Sequence, residues 1–155
     1  MDAETLRLMS DLNIAINRIR GAYAGWTREN QLKYHEMLIL YTLQDVSCCT
    51  QKQICDQYLL PKQTVNNIIT LLRARGHLRL MTNEADRRGK YVELTVSGRR
   101  YAEQTLSSLR TVEQQAVLKM GADELRCMTD MALRYGHILE TVLADAKSLG
   151  GNTAT

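Results

Sequence analysis

Residues 50–78 read TQKQICDQYLLPKQTVNNIITLLRARGHL, and the fold turns on this stretch. Its first part suits a short helix, Gln51–Tyr58, which Thr50 can cap and which turns Ile54 and Tyr58 inward. Leu59-Leu60-Pro61 then breaks the chain. Pro61 suits the first turn of a new helix, where a missing N–H is no loss. That helix is expected from Pro61 to Arg75, with Gly76 at the left-handed position that ends it. Val65, Ile68, Ile69 and Leu72 fall at i, i+3, i+4 and i+7, which predicts a buried stripe. Gln63, Asn66, Asn67 and Thr70 take the same spacing on the opposite side.

Downstream the periodicity changes from helical to alternating. His77–Met81 and Lys90–Thr95 alternate apolar and polar residues and are separated by TNEADRRG, a polar turn ending in Gly89. This predicts a β-hairpin with a long charged tip. Helix, short turn, helix and hairpin over residues 50–95 is the plan of a winged helix-turn-helix.

Both ends of the chain read as helices. In residues 4–24, Leu6, Met9, Leu12, Ile16, Ile19 and Tyr23 recur at spacings of three and four, with Gly21 and Gly25 loosening the end. Residues 33–44 repeat the pattern with Met37, Leu38, Tyr41 and Leu43. Two further helices are expected over Tyr101–Met120 and Asp123–Ser148, with Gly121 as a stop and Asp123 as an N-cap. The expected class is mainly α, an α+β fold in which a winged lobe at 33–100 is flanked by helices at 1–25 and 101–148. All of 1–155 then forms a single domain.

Composition agrees with a globular protein: 45% of residues are hydrophobic and 24% charged. No apolar run is long enough to span a membrane, and the N-terminus lacks the pattern of a signal peptide, so a cytoplasmic location is expected. The net charge of +3 is unevenly placed. Residues 50–100 hold ten Lys/Arg against four Asp/Glu, a net of +6, while the remainder holds ten against thirteen, a net of −3. A basic centre between acidic ends points to a polyanion surface in the middle of the chain, here double-stranded DNA.

The residue types of the second helix support that partner. Surface helices are usually rich in Glu and Lys, yet the face of Gln63, Asn66, Asn67 and Thr70 is uncharged until Arg73. Amides can pair bidentately with adenine edges in the major groove. Lys62 and Thr64 at the helix start, and Arg73 and Arg75 at its end, would lie at or beside the backbone phosphates, which set position without reading sequence. Arg87 and Arg88, at the end of a projecting loop, could enter a minor groove, with Asp86 fixing their direction by pairing. A solvated charged turn is the plainer alternative.

The run quoted above, with DRRGKYVELTVSGRR after it, resembles the DNA-binding core of the MarR family of bacterial and archaeal regulators. Asp86-Arg87-Arg88-Gly89, Leu94-Thr95 and Gly98 are its most specific part, and the flanking helices extend it over nearly the whole chain. The resemblance implies that Asp86 and Arg88 shape a wing and that Arg88 reaches the minor groove. It implies a transcriptional repressor whose terminal helices pair across a two-fold axis, so that a homodimer meets a roughly palindromic operator. It departs from the family pattern at Leu59, where a small turn residue is frequent, at Pro61, where Ser is frequent, and at Leu71, where a polar residue is more usual.

The resemblance further implies a small aromatic or phenolic effector, held between the dimer helices and the DNA-binding lobe. Arg18, Tyr23, Trp26, Tyr34 and His35 lie on the corresponding helices, and an Arg among aromatic rings suits an anionic ring. Ordinary packing is the alternative for each. A cysteine-based redox switch is a second possibility, through Cys48, Cys49 or Cys55. Cys55 sits where a small core residue is expected, and neighbouring cysteines bridge only through a strained ring. His35, His77 and His137 are scattered, so no metal site is expected. No phosphate-binding glycine loop, G-x-S-x-G or Cys–His motif is present, so neither enzyme activity nor a cofactor is expected. A winged helix used for protein contacts remains the rival from another class, separable by salt dependence.

Overall fold

In the computed structural model, residues 1–83 and 86–150 are described, with side chains excepted at 82–89 and 149–150. The chain forms two compact units, Met1–Leu109 and Arg110–Thr155.

The first unit begins with α1 (Ala3–Glu29) and α2 (Tyr34–Asp45). Next come β1 (Cys49–Thr50), α3 (Gln51–Tyr58) and α4 (Lys62–Ala74). The chain then runs through β2 (Leu78–Asn83) and β3 (Asp86–Leu94) into the start of α5 (Val96–Met120). Helix α1 does not loosen at Gly21 or Gly25. It runs on to Glu29 and ends where Gln31 turns left-handed, with φ of 53°. Tyr23, Trp26 and the buried Thr27 pack that last stretch inward, and tertiary packing overrides the glycine propensity.

Helix α2 is the central support. Met37, Ile39, Leu40 and Leu43 are all but fully buried, against Val65, Ile69 and Leu72 of α4, Ile54 of α3, and Leu106 of α5 within one core. The sheet is antiparallel in the order β1–β3–β2. Cys49 and Thr50 pair with Val92 and Tyr91, and Leu78 through Thr82 pair with Leu94 through Lys90. A two-residue strand such as β1 has no periodicity to read, so it surfaces only once folded.

The strands of the hairpin extend further than their alternation predicts. Asp86, Arg87 and Arg88 belong to the backbone of β3, with Asn83 opposite Asp86 across a bulge, instead of lying in a loop. The connection shrinks to Glu84–Ala85, which lies outside the described residues.

The second unit carries the end of α5 and then α6 (Ala122–Gly150). Gly121 separates them, with φ of 100°, and its N–H donates to the Val117 carbonyl at 2.8 Å. Asp123 stands inside the first turn of α6 instead of capping it, and its carboxylate accepts from Arg126 at 2.7 Å. No described residue of α6 is buried within the chain.

Candidate nucleic-acid interface

Helices α3 and α4 form a helix-turn-helix whose joints follow from local chemistry. Thr50 opens α3 with a reciprocal capping box: its hydroxyl accepts the Gln53 N–H at 3.2 Å, and the Gln53 side chain accepts the Thr50 N–H at 2.8 Å. The turn itself requires Leu59 to adopt the left-handed region, φ 51° and ψ 41°. Leu60 N–H then donates back to the Cys55 carbonyl at 3.0 Å, the six-to-one bond of a Schellman closure. A leucine here is unusual, because Cβ crowds the following carbonyl. Leu59 therefore performs the turn that a small residue performs more easily, and its side chain is 77% exposed.

Pro61 stands one residue outside α4, as its N-cap, with φ of −59°. It supplies no side-chain cap, but its carbonyl accepts the first helical bond, from Val65 N–H at 3.2 Å. The helix ends as its glycine predicts. Gly76 has φ of 75°, Gly76 N–H donates to Arg73 and His77 N–H to Leu72, each at 2.9 Å.

Between these ends α4 separates into two faces. Val65, Ile68, Ile69 and Leu72 are buried. Lys62, Gln63, Asn66, Asn67, Thr70 and Arg73 are exposed, and Thr64 is half-buried. Gln63 Nε2 donates to Asn67 Oδ1 at 2.7 Å, which joins two of the amides into one unit on the exposed surface. The side chains of Asp86, Arg87 and Arg88 lie outside the described residues.

Behind α4, a network of polar groups ties its end to the rest of the unit. Glu36 of α2 is 4% exposed. It lies 3.7 Å from the Arg75 guanidinium and accepts from the Tyr101 hydroxyl at 3.3 Å. Burial, with the Glu36 charge beside it, pushes the Tyr101 phenol above its ordinary value. The Tyr101 ring stacks on His77, with centroids 4.3 Å apart and planes 3° from parallel. His77 Nδ1 in turn lies 3.3 Å from Ser97 Oγ. Thr95 closes the corner: its hydroxyl donates to the Gly76 carbonyl at 2.7 Å and accepts the Gly98 N–H at 3.0 Å.

Sequence reading missed Glu36, Tyr101 and the pairing of Arg79 with Glu93 across β2 and β3. An acid at a position of helical periodicity that should be apolar was the available signal for Glu36. The Arg79–Glu93 pair follows only from the hairpin register.

The effector candidates occupy different surroundings. Tyr23, Trp26 and Tyr34 pack half-buried against the core, and His35 meets the Tyr34 ring edge-on at 5.8 Å. Arg18 is exposed along α1, in a shallow groove of about 530 Å³ lined by Ser10, Asn13, Ile14 and Asn17. Among the cysteines, Cys48 and Cys127 are exposed, Cys55 is half-buried and Cys49 is buried. Burial, and secondarily the neighbouring Cys48, pushes the Cys49 thiol up to about 11. Among the described residues no group of His, Cys, Asp or Glu is placed to hold a metal, and no helix is long and apolar enough to cross a membrane.

A helix-turn-helix with an amide-rich exposed helix, followed by a hairpin that pairs with β1, defines the winged helix-turn-helix fold. The MarR family model matches residues 30–89, which span α2 through the start of β3. Over those residues the chain is similar to the MarR family. Its fold is similar to that of NMB1585, a MarR family regulator from Neisseria meningitidis. The two share 25% identity over 90% of this chain and 98% of that one, with a TM-score of 0.81. NadR in complex with 4-hydroxyphenylacetate is similar at a TM-score of 0.72 and 15% identity, covering 80% of this chain and 91% of that one. Reduced AbfR bound to DNA is similar at 0.69 and 17%, covering 90% and 99%. No curated protein sequence is significantly similar.

Proposed function

We propose that this regulator is a cytoplasmic repressor that binds a pseudo-palindromic operator as a homodimer and is modulated by a small aromatic or phenolic effector. The observation that carries the DNA reading is the division of α4: an apolar stripe buried in the core, and Gln63, Asn66, Asn67 and Thr70 exposed opposite it. Those side chains read base edges, while Lys62, Thr64 and Arg73 hold phosphates and Arg88, oriented by Asp86, enters the minor groove from the wing.

The dimer reading rests on unpartnered apolar surface. Helix α1 leaves Leu6, Leu8, Ile14 and Ile19 between 49% and 63% exposed, and α6 leaves Met131, Leu133 and Val142 between 57% and 69% exposed. Each of these helices thus leaves several large apolar side chains without cover, which a partner surface would supply. Two copies related by a two-fold axis would cover it and set two copies of α4 about one DNA turn apart. Sedimentation should give twice the chain mass, and Leu139→Glu with Val142→Glu should give monomers with weakened operator binding. A wild-type monomer at micromolar concentration would reject the dimer.

The effector reading is supported by the aromatic wall of Tyr23, Trp26 and Tyr34 with His35, and by the 4-hydroxyphenylacetate complex of NadR. Trp26 is the chain's single tryptophan, so its emission reports on that wall. Titration with 4-hydroxyphenylacetate and related phenolic acids should quench Trp26 and change operator affinity over one concentration range. Unchanged emission and unchanged DNA binding at millimolar ligand would reject this effector class.

The DNA contacts are tested on a duplex selected by the wild-type protein from random-sequence DNA. Gln63→Ala and Asn66→Ala should relax preference at particular bases, and Arg88→Ala should weaken binding to all sequences. Wild-type behaviour in all three would reject the assignment.

A further inference from the structure

A groove of about 500 Å³ separates α4 from β2, and its lining differs from that of an ordinary surface crease. Thr70, Arg73 and Ala74 form the α4 wall, and Leu78, Arg79 and Leu80 form the β2 wall. The floor is apolar, with Leu78 only 4% exposed, while each rim carries a guanidinium. Arg79 is held from behind. It lies opposite Glu93 in the β2–β3 register, and its Nε pairs with the Glu93 carboxylate. The Glu93 side chain is 14% exposed and that of Arg79 64%, so the outward charge is the arginine's. Pairing through Nε fixes the direction of a group that carries four further N–H donors.

We propose that this groove seats the phosphodiester strand between the major groove read by α4 and the minor groove reached by the wing, with Arg73 and Arg79 clamping its phosphates from opposite sides. The inference rests on the proposed docking of α4 in the major groove. A protein that places a helix in one groove and a hairpin in the next must straddle the backbone between them. The groove lies between those two elements and is continuous with the reading face through Thr70. Its apolar floor suits deoxyribose, and its two cationic rims suit the flanking phosphates. Glu93 is a positioning residue for Arg79.

The intact chain and the selected duplex provide the test, by fluorescence anisotropy over a range of KCl concentrations. Arg79→Ala should weaken binding several-fold, by the same factor on the selected duplex and on an unrelated one. It should also reduce the slope of log K against log salt by about one per bound chain. Arg79→Lys should keep the wild-type slope. A neutral methylphosphonate at the straddled phosphate should weaken the wild type more than it weakens Arg79→Ala. Unchanged affinity and slope in Arg79→Ala, while Gln63→Ala still relaxes base preference, would overturn the clamp and leave the docking of α4 standing. Loss confined to the selected duplex with an unchanged slope would also overturn it, since Arg79 would then read bases. If neither Gln63→Ala, Asn66→Ala nor Arg79→Ala alters binding, the docking of α4 falls as well.

Discussion

Gly98 packs directly against the backbone of His77: a Cβ at Gly98 would lie 1.9 Å from the His77 carbonyl oxygen. The first turn of α5 thereby sits on the corner where α4 hands over to the wing, and the Thr95 bonds to Gly76 and Gly98 lock it there. Because the obstacle is backbone, no rotamer change can relieve it. Gly98→Ala should destabilise the protein by more than about 2 kcal/mol in chemical denaturation. Gly21, exposed within α1, has nothing within 4 Å of a built Cβ, so Gly21→Ala should instead stabilise by about 0.5–1 kcal/mol. Equal effects at the two sites would contradict the close approach.

Leu59 offers a second glycine test, of opposite logic. Its left-handed backbone and exposed side chain mean that Leu59→Gly relieves strain and loses little packing. The variant should unfold at the same or higher denaturant concentration, with a gain of up to about 1 kcal/mol. A clear loss of stability would show that the leucine side chain contributes packing to the turn.

Glu36 is buried between Arg75 and Tyr101. Removing its carboxylate in Glu36→Ala should cost about 1–3 kcal/mol, since the half-buried Tyr101 hydroxyl loses its acceptor. Tyr101→Phe should cost less, because the phenyl ring still stacks on His77. The double variant should cost less than the sum of the two, and strict additivity would show that the two groups are not coupled.

The cysteines should differ in reactivity and in their effect on alkaline stability. Buried, and with its thiol pushed from 9.0 to about 11, Cys49 should alkylate far more slowly than the exposed Cys48 at pH 8, as read by mass spectrometry. Below pH 9 the folded and unfolded chains both keep this proton. Between about pH 9 and 11 only the unfolded chain releases it, so stability should fall across that window. Cys49→Ser should show a shallower decline, with Tyr101 accounting for part of what remains. Equal alkylation rates at Cys48 and Cys49 would show that Cys49 is not sequestered.

Much of the winged helix-turn-helix lobe was legible because its signals are local. The stripe Val65–Leu72, the Thr50 cap and the left-handed Gly76 each depend on residues within two turns, and each lies where its spacing placed it. The errors share a different origin. Gly21 and Gly25 stay helical because packing at Tyr23, Trp26 and Thr27 outweighs their propensity, and β3 takes in Asp86–Arg88 because strand pairing extends past the alternating run.

From residues alone came the class of fold, the exposed polar face of α4 and the family resemblance, since helical period, caps and turn chemistry are written over a few adjacent positions. Tertiary structure alone decided that Glu36 meets Arg75 and Tyr101, that Gly98 rests on His77, and that Arg79 lies across from Glu93 beside α4. These contacts join residues 14 to 65 positions apart. They depend on strand register and helix packing, which no local pattern specifies.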